Sequence, residues 1–596
     1  MRVIRSVYAL VAVVGLGGPL GAATLNMDFS QVPDGLDDAL RAVSLTQGAV
    51  ANAASTPQDI LAATQADYGR LLAALYDAGY YSGQISIRID GREAAGIQPL
   101  DAPAAIGAVV IRVSAGREFR FGEAVVTPLE DDTAVTPAFR AGEVAQLGAI
   151  RQAARDGVAG WRAAGYAKAA VADQVITADH ALATLDARIL LDQGPRLRFG
   201  QLAMRGYKRM RPERLAQIAG YPTGKWFSPE RLNEVRARLR RSGVFSSVSV
   251  VESETISPEN TLDATLSVVE APLRRIGYGG ELSSLDGLNL SGYWLHRNLW
   301  GGGERLRFDA DVTGIGVGKS GPDFSLGSRL ERPATFTPDT SAALDAEIYK
   351  SGEDDYDARG YRFGVGLEHV FNPRLKGGVA VEYGRSTVDD ISGETLYRSL
   401  SLPVTATWDN RDNALDAHKG YYGNLVLTPF MGFGTTGTGG QIKGDFRAYR
   451  AVAGDRFVLA GRLQFGAVFG SDLAQTPRDY LFYSGGGGSV RGQPYHALDV
   501  SLLEGGTVAT GGTQYLGFST ELRGKITDTI GLVAFYDTGF VGADYGGVTE
   551  ENWHAGAGLG VRYMTGIGPL RLDVARPVGC DTGGGMQLYL GIGQAF

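Results

Sequence analysis

Two hydrophobic rhythms run along the chain, and one gives way to the other near residue 271. Upstream, apolar positions recur every three or four residues. In 228–243, Ser228 and Pro229 suit a helix start, Leu232, Val235 and Leu239 share one face, and Gly243 ends the pattern. Tyr68, Leu71, Leu72 and Leu75 run up to Gly79-Tyr80, and Val158 and Trp161 run up to Gly165-Tyr166, so a similar ending occurs three times. Strand-like alternation follows, clearest in Leu185, Ala187, Ile189, Leu191 and in Leu262, Ala264, Leu266, Val268. Gly165 and Gly243 are 78 residues apart, as are the Phe121-Gly122 and Phe199-Gly200 pairs. This repetition predicts three α+β modules, 24–115, 116–193 and 194–270. The first fits less well, because Gly79 to Gly165 is 86 residues and 52–58 reads as a loop.

Downstream the period is two. Tyr361, Phe363, Val365, Leu367, His369 and Phe371 alternate with Arg362, Gly364, Gly366, Glu368 and Val370, then Asn372-Pro373-Arg374 turns the chain into Val379, Val381 and Tyr383. Leu400, Leu402, Val404, Ala406, Trp408 and Leu463, Phe465, Ala467, Phe469 repeat the pattern. Apolar and aromatic positions take one face, and polar or Gly positions take the other. A soluble sandwich would alternate in the same way, so context decides.

The context is export. Arg2 and Arg5 precede the apolar run Val7 to Leu16, followed by Gly18, Pro19 and the small residues Gly21, Ala22 and Ala23, which reads as a signal peptide over 1–23. No later apolar run is long enough for a spanning helix, so a membrane crossing would use strands. With 85 Gly in 596 residues but 44% hydrophobic and 9% aromatic content, the chain is folded rather than low-complexity. The 326 residues of 271–596 fit a transmembrane barrel; at roughly 20 residues per strand and turn, that is about 16 antiparallel strands. Leu588, Leu590 and Ile592 fall in phase with the terminal Phe596, and Gln594 breaks the phase.

Other chemistries find little support. A net charge of -8 and a pI near 5.5 leave no broad basic field for nucleic acid. Gly314 to Ser320 resembles the end of a phosphate loop, but Thr313 stands where that pattern needs Gly. The six His show no metal-ligand spacing, the single Cys580 excludes an internal disulfide, and no Ser or Asp is marked beside a His for hydrolysis. The reading is therefore a non-enzyme without metal or cofactor. Arg231, Arg236, Arg238, Arg240 and Arg241 read as a solvated helix face that could also meet anionic lipid.

Specific residues then carry a resemblance. Phe482-Tyr483-Ser484 followed by Gly485 to Gly488 and Ser489-Val490-Arg491-Gly492-Gln493-Pro494-Tyr495 closely resembles the signature loop of the BamA/TamA superfamily of outer-membrane assembly barrels, with Gln493 where an aromatic is usual. Phe535-Tyr536-Asp537-Thr538-Gly539 matches the family's FxDxG motif. Asp409 to Asp416 leading to Gly420-Tyr421, Arg297 to Gly301, and Gly566 to Asp573 are further family-like blocks in the right order.

The resemblance implies POTRA modules in the periplasm, a barrel in the outer membrane of a Gram-negative bacterium, and insertion or secretion of unfolded outer-membrane or autotransporter client chains. Three modules favour the TamA type, with a TamB-like inner-membrane-anchored partner, over five-module BamA-like proteins or two-module two-partner-secretion transporters. It also implies that the loop holding Val490, Arg491 and Gly492 folds back inside the barrel, with Arg491 reaching the Asp537 of Phe535, Asp537 and Gly539. A strand-adding seam is expected between 275–285 and 586–596. Gly277, Gly279, Gly280, Gly591 and Gly593 near Phe596 either weaken packing there or are merely tolerated on the lumen face. A passive porin and an outer-membrane enzyme are the rival classes.

Overall fold

Gly79, Gly165 and Gly243 take positive φ angles of 90°, 108° and 68°, a left-handed backbone in which a side chain would be strained, and each ends a helix. The computed structural model describes residues 23–596 except 53, 284–286, 317–320, 353–355, 392, 455, 495, 499, 502–508, 544–551, 567 and 580–584. The export segment up to 22, Cys580, Tyr495 and most of the phosphate-loop-like stretch therefore lie outside the described residues.

The first stretch contains β1 (Thr24–Gln31), α1 (Leu36–Val43), α2 (Leu45–Ala51), α3 (Pro57–Asp77), β2 (Gln84–Ile89), β3 (Arg92–Glu93) and β4 (Ala108–Ser114), with sheet order β1-β4-β2-β3. Thr56 and Asp59 close a reciprocal capping box at the start of α3, which buries Leu61, Leu71 and Leu75 against Ile87, Val109 and Ile111. The second has β5 (Arg120–Thr127), α4 (Leu147–Ala163), β6 (Ala170–Asp179) and β7 (Thr184–Asp192), ordered β5-β7-β6. Its alternating Leu185, Ala187, Ile189 and Leu191 are all buried. The third has β8 (Arg198–Arg205), α5 (Pro212–Ala219), α6 (Pro229–Arg241), β9 (Phe245–Glu252) and β10 (Thr261–Glu270), ordered β8-β10-β9. The repeated period thus becomes a repeated sheet, while the helix count varies from one to three.

Internal contacts divide the chain inside the third stretch rather than at 271. Residues 202–222, 232–253 and 264–596 form one compact unit, and the remainder forms the other. Within the former, Arg211 N–H donates to Gly301 O at 2.8 Å, and the buried Arg214 guanidinium donates to the Gly302, Pro333 and Ala334 carbonyls. Arg238 grips both oxygens of Asp339, and Arg241 adds a 2.7 Å bond. The Glu270 carboxylate gathers the N–H groups of Lys208, Arg209 and Met210. Arg238 and Arg241 are thus clamps on a barrel turn rather than a solvated face, a pairing that a spacing of about 100 residues hides from sequence.

The barrel closes from Arg274–Ser283 round to Gln587–Ile592. Seventeen strand segments make it up, but Gly393–Ser401 and Val404–Asp409 both pair with Leu375–Asp390 and Gly420–Gly432. They are one strand interrupted at Leu402-Pro403, where Pro lacks an N–H for the ladder, so sixteen strands close the sheet. The expected lipid-side residues Tyr361, Phe363, Val365 and Leu367 are exposed on the outer wall. Among the described residues no helix is long and apolar enough to cross a membrane.

The chain end departs from its expected phase. Strand pairing stops at Ile592, Gly593 turns at φ 93°, and Phe596 is only 8% exposed, packed with Ala417, Tyr449 and Ala460. Leu588, Leu590 and Ile592 do face outward. The positive φ at Gly593 takes the last residues off the strand, so Phe596 does not extend its outer stripe.

Burial raises the Asp339 carboxyl, but hydrogen bonds from Arg238 and Arg241 outweigh this and hold it below the ordinary value. The clamp is therefore present at neutral pH and lost as pH falls through the depressed folded value. Asp339→Asn should cost about 1 to 2 kcal/mol of local stability, between exposed and buried pairs. Hydrogen exchange should show faster α6 amides in the variant at pH 7, with wild type converging on it in strong acid; equal protection at pH 7 would dismiss the clamp.

Candidate functional site

The site is assembled on five neighbouring strands from inward-facing positions that alternate with lipid-side residues. Gln514–Lys525 supplies Glu521 and Arg523, Ile530–Gly542 supplies Phe535, Asp537 and Gly539, and Trp553–Thr565 supplies His554, Gly556, Gly558, Gly560 and Arg562. Gly568–Val578 supplies Arg571 and Asp573, and Gln587–Ile592 supplies Tyr589 and Gly591. Tyr536, of opposite parity, is exposed on the outer wall, whereas Phe540, of the same parity as Tyr536, is buried against the Trp553 ring.

Across this wall lies the segment between Phe469 and Gln514. It crosses the lumen: Tyr483 bonds Tyr356 on one side, Tyr480 O accepts from Gln441, Gly488 O accepts from Arg462, and Arg491 meets the five-strand wall. Tyr349 donates to Asp479 and Tyr397 to Ala474 O, so several strands hold the loop. The four glycines before Ser489 make it a folded loop rather than a strand.

Arg491 is 3% exposed. Its Nε and Nη2 donate to the two Asp537 oxygens at 2.7 and 3.0 Å, and its backbone N–H adds a third bond to the same carboxylate. Its Nη1 donates to Glu521 at 2.7 Å and to Asp573 at 3.2 Å. Arg562 also pairs with Asp573, and Arg523 with Glu521. Three guanidiniums thus face three carboxylates of almost no exposure, a set balanced in charge. The Arg491 guanidinium also lies 3.6 Å from the centre of the Phe535 ring.

Glycines make this geometry possible. A side chain at Gly558 would strike the Phe535 ring, and one at Gly556 would come within 1.9 Å of Arg491 O. Gly492 has φ 95° beside Arg576 O, and its N–H donates to Tyr589 Oη at 3.0 Å. Val490 is fully buried and packs near Gly539. Gln493, the departure from the usual aromatic, donates to Ala555 O at 2.7 Å.

Sequence reasoning named Arg491 and Asp537, and marked Asp573 only as the end of the 566–573 block, but missed Glu521, Arg523 and Arg562, which belong to no contiguous motif. It also marked no Ser beside a His, whereas Ser484 Oγ and His554 Nε2 lie 2.7 Å apart. Both are buried, and among the described residues His554 Nδ1 has no hydrogen-bond partner and no carboxylate orients that ring. The cluster continues into the chain end: Arg523 donates to Phe596 O at 3.0 Å, Arg562 to Gln594, and Gln594 to Asp416 of the 409–416 block.

The expected seam is the second candidate site. Arg274–Ser283 pairs with Gly287–Arg297 at ten positions but with Gln587–Ile592, among the described residues, only at Leu282–Leu590 and Ser283–Tyr589. A side chain at Gly277 would strike the Tyr293 ring, and one at Gly279 would meet Ser291 Oγ at 2.8 Å, whereas one at Gly280 would make ordinary contact with Leu290. Gly591 adjoins the Arg571 guanidinium. Gly277 is thus filled by a neighbouring aromatic, rather than simply leaving the strand loose.

The Omp85 superfamily domain matches residues 298–596, half of the chain. The chain belongs to the Omp85 superfamily. A POTRA model, described as a surface antigen variable number repeat, matches 197–271. Among solved structures, BamA from Haemophilus ducreyi lacking POTRA domains 1–3 is similar at a TM-score of 0.60 and 16% identity, covering 80% of this chain and 100% of that one. CdiB from Acinetobacter baumannii is similar at 0.51 and 13%, covering 80% and 90%. At these identities the likeness is one of fold. This Omp85 chain is an outer-membrane insertase or transporter, and its combination of barrel and POTRA region implies a Gram-negative outer membrane with the repeat on the periplasmic side.

Removing one member of a desolvated ion cluster leaves its partners uncompensated, at a cost of about 3 to 5 kcal/mol. Arg491→Ala, which leaves Asp537 without a cation and takes one of two from Glu521 and Asp573, should lower the barrel's thermal transition more than Asp537→Ala, and the double change should be no worse than Arg491→Ala. Arg491→Lys should not rescue, because an ammonium cannot fork across Asp537 and reach Glu521. Additive shifts in that double-mutant cycle would show that the residues do not act together.

Proposed function

We propose that this Omp85 protein is a TamA-type assembly factor, in which the N-terminal modules engage a TamB-like partner and unfolded autotransporter or other outer-membrane client chains. The observation that carries this reading is the presence of three separate α/β sheets ahead of the barrel, supporting modules at 24–115, 116–193 and 194–270 and a barrel over 271–596. A BamA-like or two-partner-secretion role differs in the module number it calls for.

The barrel's part in the reaction is strand addition. The first strand has ten residues and the last has six, and the two-pair seam leaves the backbone groups of Arg274 to Glu281 without a ladder partner on that side among the described residues. Such an edge can template an extended client by main-chain hydrogen bonds with little demand on its sequence. Val490, Arg491, Gly492, Phe535, Asp537 and Gly539 hold the lumen loop against the wall beside that seam. A loop crossing the lumen favours this reading over a passive porin.

Deleting 24–115 should abolish co-purification of the partner while a heat-modifiable barrel persists; retention of the partner would count against the docking role. In planar bilayers, a barrel without its modules whose sole activity was a large steady pore would favour the porin instead.

A further inference from the structure

Three residues lie in one row across the seam. Arg571 pairs in register with Gly591, and the register Leu282–Leu590, Ser283–Tyr589 puts Glu281 opposite Gly591 on the other side. All three belong to the inward-facing set: Leu570, Leu572, Leu590, Ile592 and Tyr278, of the other parity, are exposed on the outer wall. The middle position carries no side chain, and the Arg571 guanidinium occupies the space, 3.1 Å from where a Cβ on Gly591 would stand. Passing over that glycine, Arg571 Nη2 donates to Glu281 Oε1 at 3.0 Å.

The geometry points to Glu281 and Arg571 as the latch of the seam, an ion pair that holds the first strand to the penultimate one over the last and must break before a client strand can enter. Two backbone register pairs join first and last strands among the described residues, and this charge-assisted side-chain bond adds a further tie beside them. The Arg571 side chain is 11% exposed, and among the described residues its buried Nε has no hydrogen-bond partner. The nearby Asp573 is already engaged by Arg491 and Arg562. Glu281 therefore offsets most of the desolvation of that guanidinium, and losing it would turn Arg571 toward the wet lumen. The lumen loop adjoins the latch: a Cβ on Gly487 would lie 3.3 Å from Tyr589 and 4.0 Å from Glu281. Gly591 is thus the gap through which the latch passes.

This inference rests on the seam-opening reading, and the test separates the two. The full chain, carrying Cys580→Ser, is recorded in planar bilayers. Seam openings are defined as the conductance level abolished by a disulfide between Leu282→Cys and Leu590→Cys. Glu281→Gln and Arg571→Gln should each raise the time spent at that level roughly fivefold, the worth of an ion pair near 1 kcal/mol. The exchange of Glu281→Arg with Arg571→Glu should restore wild-type gating. Gly591→Leu, which blocks the row without touching either charge, should open the seam as the neutralised variants do, so the proposal does not hang on one variant's folding. Unchanged gating in the neutralised variants and in Gly591→Leu, or an exchange that fails to restore, overturns the latch. Client assembly by the disulfide-closed chain addresses the seam reading separately: continued assembly would reject it whatever the gating shows.

Discussion

A sheet in hydrocarbon has no water to satisfy its edges, so every backbone N–H and C=O must find a partner within the protein. Sixteen strands closing on themselves meet that demand over most of the wall, and much of the architecture follows from it. Pro403 removes a donor from one strand, and the ladder resumes from Val404 after Ala380 N–H has bonded Pro403 O and Leu402 N–H has bonded Pro429 O. Among the described residues, ladder pairing is sparsest where the first strand meets the last, at two register pairs.

Closure also creates an interior that has to be filled or wetted. Much of the wall uses charged pairs such as Arg329 with Asp345 and Glu368. The wall beside the seam instead accepts a loop, and it can do so because Gly556, Gly558 and Gly560 remove side chains where Arg491, Phe535 and Asp573 need room. Burying three guanidiniums and three carboxylates is costly unless each is paired and hydrogen-bonded. Balance is reached by sharing: Glu521 and Asp573 each bridge two arginines, and Arg491 bridges three carboxylates. Such a set specifies one position of the loop, since a shift of an ångström or two would leave several charges unpaired together.

What was legible in the sequence was whatever is written at short range. The period-two alternation marked the barrel strands, the Gly endings marked the helices of the three modules, and two contiguous motifs marked Arg491 and Asp537. What was hidden lies far apart along the chain. Glu521 and Arg562 stand on separate strands, each looking like an ordinary lumen position, and Asp573 ended a family-like block with nothing to name its partners. Asp339 clamps Arg238 across about 100 residues, and Glu281 meets Arg571 across 290. Phe596 misled for a local reason: alternation extrapolates only while φ stays extended, and Gly593 turns positive just before it. Ser484 and His554 were invisible as a pair because the loop that carries Ser484 has no periodicity to place it.

The two sets of ions near the seam differ in kind. The Arg491 cluster is shut away from solvent, so dissolved salt screens it little, and its strength depends on geometry. The Glu281 carboxylate is 41% exposed, so its bond to Arg571 competes with water and with counterions. On the proposed mechanism, in which the loop stays fixed while an edge opens, the two sorts have different parts: a desolvated network that fails only as a whole, and a pair open to water that exchanges at less cost. Tyr589 stands between them, accepting the Gly492 N–H from the loop side while its backbone forms one of the two seam register pairs. The loop's anchor and the seam's closure thus meet on a single residue of the last strand, and moving that strand away from the first requires either the loop to follow or the Tyr589 bond to be given up.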